Sequence, residues 1–310
     1  MKFLSIGLML AFLLTACQKD TCSRVYEGDD WIYEHSDYYT FIADDGGDEL
    51  VLNFSIWWHP GQDGYEKEFK SLHGSVNPWS INYKKEYLQS SLCAIPSETW
   101  DFNSNHDFQF NRATREISSN ITANTFVSIK IPERTMWTAV DLGDSSYVDL
   151  YAYKTTANIN GQTRSGWMIY EEIRATQSLA SVGDFKDFFW MPIVANNHLY
   201  FFEHHNNKQL ACRWQDNGTN IIADTLAAFN FTILSTEADA TSGRNNVPKT
   251  LQISAPTWNV DFTVASTGNH TGYGASFPNG LALYRQSLLE TANSSVTQGY
   301  GMLELILEDD

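Results

Sequence analysis

The run Ser165 to Glu172 reads Ser-Gly-Trp-Met-Ile-Tyr-Glu-Glu and sets two carboxylates behind Trp167, Met168 and Tyr170. A carboxyl packed among aromatic side chains loses hydration of its charged form. Its pKa then rises, and it can deliver a proton near neutral pH. Adjacent residues of a strand point to opposite faces, so one of Glu171 and Glu172 is expected inside a barrel and the other in solvent. Glu171, assisted by Tyr170, is therefore the candidate acid. Trp167, Tyr170 and Glu171 are the candidate wall of a ligand site, with Trp31 and Tyr33 as further lining. The plainer alternative is a structural Glu171, bonded to a buried Tyr or Trp or paired with Arg164 or Arg174. That alternative is the stronger one, because structural ion pairs also perturb pKa values.

Other residues with chemical potential weigh less. His198, Glu203, His204 and His205 are of the types that bind zinc. His204 and His205, however, fall beside Asn206 and Asn207, where a hairpin turn is expected and polar residues belong. Trp57, Trp58 and His59 offer aromatic surface, but adjacent strand residues diverge, so at most one Trp can line a core. There is no Gly-x-Ser-x-Gly elbow and no glycine-rich phosphate loop. No metal and no cofactor are expected.

The elements that would carry these residues read as all-β. Trp31 to Ile42, a turn over Asp44 to Asp48, and Leu50 to Trp58 form a hairpin pattern of aromatic strand, Asp-Gly turn and second strand. Further strands are expected at Phe108 to Ile117 and Ile121 to Ile131, with a turn at Ser118 to Asn120. Tyr147 to Thr156 and Ser165 to Ile173 flank a turn ending at Gly161. Others are expected at His198 to Glu203, Gln209 to Gln215, Leu226 to Ser235, Thr250 to Ile253, Asn259 to Ser266, Leu281 to Leu289 and Gly299 to Glu308. Only Phe69 to Leu72 and Thr176 to Ser181 invite a brief coil. Trp31 through Trp58 and Phe188 through Trp214 rhyme, which suggests duplication with a boundary near Thr176 to Gly183.

The start of the chain is read as an address. Lys2, an apolar run from Phe3 to Leu14, and Leu14-Thr15-Ala16 ahead of Cys17 have the form of a signal peptide with a lipidation site at Cys17. The apolar run is too short to span a bilayer. Gln18 after the cysteine points to the outer membrane, with the protein lipid-anchored and facing the periplasm. Residues 1–16 are thus the leader and 17–28 a tether. Three further cysteines, Cys22, Cys93 and Cys212, allow at most one internal disulfide, and the spacing does not choose the pair. A formal charge of −17 argues against a nucleic-acid surface. Aromatic residues are 14% of the chain, with ten Trp, against 18% charged residues. That balance suits β structure around apolar sites.

Several stretches together resemble the lipocalin-like carotenoid hydratase and AttH-like family of two consecutive barrel-like domains. They are Asp30 to Tyr33 with Asn53 to Trp58, Pro248 to Ile253 with Trp258 to Val264, the closing Gly299-Tyr-Gly-Met-Leu-Glu-Leu305, and Ser165 to Glu172. The resemblance implies an all-β fold of two lipocalin-like β-barrel or sandwich domains, 29–175 and 176–310. It also implies that position 169 should carry the acidic proton donor of the hydratases. Here it is Ile169, followed by Tyr170 where His is frequent, while Glu171 is retained. The expectation is a lipid-anchored binder of a hydrophobic small molecule, more binder than enzyme, lacking the hydratase donor. One alternative is a hydratase or isomerase acting on a terpenoid or polyene. The other is a glycan-binding surface lipoprotein with exposed Trp residues.

Overall fold

The computed structural model describes residues 34–46, 50–58, 65–73, 80–89, 99–101, 108–111, 114, 116–122, 125–130, 137–143, 146–175, 188–205, 208–218, 221–226, 228–239, 244–277, 280–291 and 299–308. The first half contributes β1 (Glu34–Ala43), β2 (Val51–Trp58), β3 (Tyr65–His73), β4 (Ser80–Gln89), β5 (Thr99–Asp101), β6 (Phe108–Asn111), β7 (Glu116–Thr122), β8 (Thr125–Lys130), β9 (Trp137–Gly143), β10 (Ser146–Ile159) and β11 (Gln162–Ala175). The second contributes β12 (Phe188–Ala195), β13 (His198–His205), β14 (Lys208–Asp216), β15 (Ile221–Leu226), β16 (Asn230–Glu237), β17 (Val247–Ala255), β18 (Val260–Phe277), β19 (Gly280–Thr291) and β20 (Tyr300–Glu308). The fold is all-β and lipocalin-like.

Nine strands of the first half form one sheet around the path β2-β1-β11-β10-β8-β7-β6-β5, with β9 also pairing β10. The second sheet runs β15-β14-β13-β12-β20-β19-β18-β17-β16, and β3 and β4 pair by themselves. In each large sheet the first strand of the half lies between the second and the last: β1 between β2 and β11, and β12 between β13 and β20. The second sheet curls on itself. Tyr200 of β13 meets the edge of the Phe262 ring on β18 at 5.1 Å, although three strands lie between them in the order.

Turn chemistry sets the registers. Asn160 and Gly161, at φ of 50° and 86°, join β10 to β11, and Asn196 and Asn197, at 50° and 61°, join β12 to β13. Two-residue turns with both φ positive match the right-handed twist of the flanking strands. Near the β1–β2 turn, Arg164 grips Asp45 through two bonds of 2.7 and 2.8 Å, which ties that turn to the start of β11.

Four local expectations are corrected. Ser118 to Asn120 lie inside β7, where β8 pairs all three and β6 pairs Ser118 and Ser119 despite the polar side chains. Phe69 to Leu72 belong to β3. The stretch from Leu226 to Ser235 breaks between β15 and β16. His204 and His205 are strand residues of β13, paired with Gln209 and Lys208, rather than turn residues. Thr176 to Gly183, the expected boundary, lie outside the described residues.

Three apolar layers hold the molecule. One lies inside the first sheet, with Tyr39, Phe41, Leu52, Tyr153, Met168 and Tyr170. A second fills the curl of the second sheet, with Phe189, Met191, Tyr200, Phe202, Phe262 and Leu305. The third joins the halves: Ile42, Val51, Leu150, Trp167 and Ile169 pack against Trp190, Leu199, Phe201, Trp214 and Met302. The outer faces of the two sheets are therefore buried against each other.

That doubly buried arrangement leaves little room at the strand seams. A Cβ at Gly301 would stand 1.9 Å from the Pro192 carbonyl oxygen, and one at Gly166 would stand 2.2 Å from that of Ile42. Gly301→Ala is expected to lower the unfolding free energy by about 3 kcal/mol in urea denaturation. A loss below about 0.5 kcal/mol would mean that the β12–β20 seam relaxes freely.

Candidate functional site

The layer between the sheets has an ordered composition. On the second sheet, register places Glu304, Trp190, Glu203 and Leu210 side by side across β20, β12, β13 and β14. Two residues along each strand, Phe201 and Cys212 are neighbours, and beyond them Tyr300, Val194, Leu199 and Trp214 align. The first sheet answers with Tyr38, Glu171 and Leu150, then Thr40, Ile169 and Ala152, then Ile42, Trp167 and Lys154. Contacts between the halves fix how these rows meet. The Asn53 amide donates to Thr40 at 3.1 Å and reaches Met302 Sδ at 3.8 Å. The Tyr300 hydroxyl donates to the Ala43 carbonyl. Lys154 pairs with Asp44 and holds its ammonium 4.6 Å from the centre of the Trp167 ring.

At one end of this layer Glu171 of the first sheet lies within electrostatic reach of Glu203 and Glu304 of the second. Burial pushes Glu171 well above the usual carboxylate range, and the neighbouring Glu203 and Glu304 push it further. The Trp190 indole beside it opposes the rise, although its N–H meets no acceptor in hydrogen-bonding geometry. Burial raises Glu203 to about 7. The neutral carboxyl of Glu171 is therefore favoured, and Glu203 is poised between its two forms near neutrality. A carboxyl in this state can donate to a substrate atom without first being recharged by solvent.

The layer also contains polar atoms that the described residues do not satisfy. Glu203 Oε2 and the indole nitrogens of Trp167, Trp190 and Trp214 are buried without a hydrogen-bond partner among those residues. Each such group costs about 1–3 kcal/mol of desolvation, and folded proteins leave few of them.

The structure separates the residues chosen from sequence. Trp167 and Glu171 face the layer between the sheets, as does Ile169. Tyr170 points the other way, into the first sheet, where its ring stacks between Tyr39 at 4.7 Å and Tyr151 at 5.2 Å. Tyr170 and Glu171 therefore cannot share one wall. Glu171 faces neither a barrel interior nor solvent, because both faces of β11 are covered. Trp31, Tyr33 and Cys17 lie outside the described residues, as do Cys22 and Cys93, while Cys212 is a buried thiol of the layer. His204 packs on Phe231 at 4.9 Å, and His198 bonds the Asn196 carbonyl through Nδ1. Among the described residues, no group of three His, Cys, Asp or Glu could hold a metal ion.

Sequence reasoning weighed Glu203 only as a metal ligand and passed over Glu304 and Trp190 as site residues. A signal existed for Glu203: it continues the alternation of Leu199 and Phe201, so it must share their buried face.

No protein-family model matches the sequence, and no curated protein is similar to it. Solved structures are similar in fold. Kievitone hydratase from Nectria haematococca is 13% identical, with 88% of each chain covered and a TM-score of 0.52. An AttH-like protein from Nitrosomonas europaea is 10% identical, covering 91% of this chain and 95% of its own, with a TM-score of 0.57. CghA is 8% identical over 90% of this chain and 89% of its own, with a TM-score of 0.52. This chain shares their lipocalin-like fold. At such low identity the likeness is one of fold alone.

The buried carboxyls make stability depend on pH. Glu203 is raised from 4.5 to about 7 by folding, so the folded state binds more protons than the unfolded state between those values. Its stabilising contribution is complete below the unfolded pKa and is lost as pH rises through about 7. The loss is on the order of 3 kcal/mol. Thermal unfolding should show Tm falling from pH 5 to pH 8, and Glu203→Gln should flatten that slope. An unchanged slope in the variant would assign the pH dependence elsewhere.

Proposed function

We propose that this protein is a lipid-anchored envelope protein that takes an apolar small molecule into the layer between its halves and protonates it there. The reaction is of the hydratase or isomerase type on a terpenoid or polyene, with Glu171 as the acid. The observation that carries this reading is the set of unsatisfied polar atoms gathered in one aromatic layer: Glu203 Oε2 and the indole nitrogens of Trp167, Trp190 and Trp214. A ligand with an apolar body and few polar groups suits such a lining.

Glu171 supports the chemical part of the reading. Its burial favours the neutral carboxyl, which is the form that can donate to an alkene carbon. The carbocation so formed would lie among indole faces, whose negative quadrupole stabilises positive charge. The family resemblance places a hydratase donor at position 169, which is Ile here. Ile169 and Glu171 belong to the same face of β11, one pleat repeat or about 6.8 Å apart. An acid at 171 therefore addresses the same layer as an acid at 169 would.

Binding without turnover is a second reading. The plate of stacked rings formed by Tyr39, Tyr170 and Tyr151 inside the first sheet favours it, since such a plate offers apolar surface with no acid.

The test uses kievitone, the namesake compound of one structural relative, together with lycopene and squalene, each incubated with the protein in D2O. Mass spectrometry reads addition of deuterium and oxygen, and Trp fluorescence reads binding. The expected result is addition to at least one probe by the wild type. Glu171→Gln should slow it about 100-fold or more while leaving affinity within about threefold. Saturable quenching with no conversion by the wild type would select the binding-only reading. The anchor is tested separately: Cys17→Ser should abolish labelling by radioactive palmitate and release the protein from the membrane fraction. Continued labelling would remove Cys17 from that role.

A further inference from the structure

We infer that Glu203 is a second catalytic residue, the base that takes a proton from the attacking water opposite the Glu171 acid. This rests on the proton-transfer reading above and adds to it a residue that neither the family resemblance nor the opening motif supplies.

Three observations place Glu203 in the role. It projects from β13 into the same end of the layer as Glu171, but from the opposite sheet, so a ligand between the sheets would have one carboxyl on each side. It is only 6% exposed, and its Oε2 has no partner among the described residues. Its lateral neighbours are Trp190 on β12 and Leu210 on β14, and no described cation lowers its pKa. A structural glutamate in such surroundings would be paired or fully bonded, because an isolated buried charge is expensive. Glu203 is instead left with one buried oxygen unmatched among the described residues, within electrostatic reach of Glu171.

Burial raises both carboxyls, so together they keep a proton more readily than two separated glutamates would. Glu171 is held neutral by burial and by Glu203 and Glu304. Glu203 sits at about 7, so its ionised form is well populated at neutral pH. Among the described residues, the titratable groups sharing its end of the layer are Glu171 on β11, Glu304 on β20 and Tyr38 on β1.

The step balances without another reactant than water. The Glu171 O–H bond breaks as its proton joins one alkene carbon, and the π electrons form that C–H bond. Water oxygen bonds the other carbon while its proton passes to the Glu203 carboxylate. One C–H and one C–O bond are made, and the π bond, the Glu171 O–H and one water O–H are consumed. The product is an alcohol, Glu203 is left protonated and Glu171 ionised. Return of the proton from Glu203 to Glu171 restores the starting state. The Trp190 N–H beside Glu171 steadies the transient carboxylate. Acid and base come from different sheets, so the site is complete only with the halves docked.

The experiment measures kcat, KM and the pH profile of deuterated-water addition for the wild type, Glu203→Gln, Glu203→Asp and Glu171→Gln, with the converted probe of the preceding test. Glu203→Gln is expected to lower kcat about 100-fold or more with KM within about threefold. It should also erase the acidic limb of the kcat/KM profile, which in the wild type rises through about pH 7. Glu203→Asp keeps a carboxylate one methylene further back and should recover part of kcat. It serves as the readout if the Gln variant fails to fold. If Glu171→Gln is inactive while Glu203→Gln retains full kcat and an unaltered acidic limb, Glu203 is not the base and the reading of Glu171 survives. If the wild type binds the probes but converts none, both fall together.

Discussion

The contact between the outer faces of the two sheets governs most of what is distinctive here. An antiparallel sheet can leave one face in water, and its strands then alternate apolar and polar residues. β11, β12, β13 and β20 cannot, because each is covered on one face by its own core and on the other by the opposite sheet. Their sequences accordingly lose the alternation. Phe188 to Ala195 reads Phe-Phe-Trp-Met-Pro-Ile-Val-Ala, and every residue from Phe189 onward in it is buried. The exceptions within so apolar a layer are then informative, and the principal ones are Glu171, Glu203 and Glu304.

Register shows that these exceptions are not scattered. Glu171 is opposite Tyr38 on β1, and Glu304 is opposite Trp190 on β12. β1 and β11 relate to β2 as β12 and β20 relate to β13, so Glu171 and Glu304 occupy corresponding places in the two halves. Ala43 ahead of one turn and Ala195 ahead of the other correspond in the same way, each facing a glycine or its neighbour on the last strand. The two corresponding carboxyls are also within electrostatic reach of each other. Glu203 breaks the correspondence, and it is the residue whose oxygen remains unsatisfied. A similar fold in each half thus yields a site in which the halves contribute different groups.

The sequence reveals the strands more readily than their faces. The Asn160-Gly161 turn is legible because only a few residue types accept two positive φ angles in succession, and the hairpin around it follows. β1, β2, β10 and β11 are recognisable from their aromatic and β-branched content. Which side of β11 meets which core is not legible, since a run such as Gly166 to Tyr170 is apolar at both parities and period-two reasoning has nothing to grip. That is why Tyr170 and Glu171 read as neighbours on one wall, although they belong to different layers. His204 and His205 mislead for a different reason: turn propensity is a local quantity, whereas the β13–β14 pairing extends through them by ladder bonds that only the tertiary structure supplies.

The cost and the use of the carboxyl cluster have one origin. Water excluded from the layer no longer solvates a charge on Glu171, so the neutral form prevails and the folded state yields stability as the solution becomes less acidic. On the proposed reading, the same exclusion would let a proton leave Glu171 for an apolar acceptor without competition from bulk water for either partner. A single buried glutamate could be made harmless by staying protonated and bonding to one neighbour. Glu171 and Glu203 do not both do so, since Glu203 Oε2 and the Trp190 nitrogen remain unmatched among the described residues. Replacing them by apolar residues of similar size would remove the desolvation penalty at once. On the proposed reading, the cluster is kept for the proton it can transfer rather than for stability.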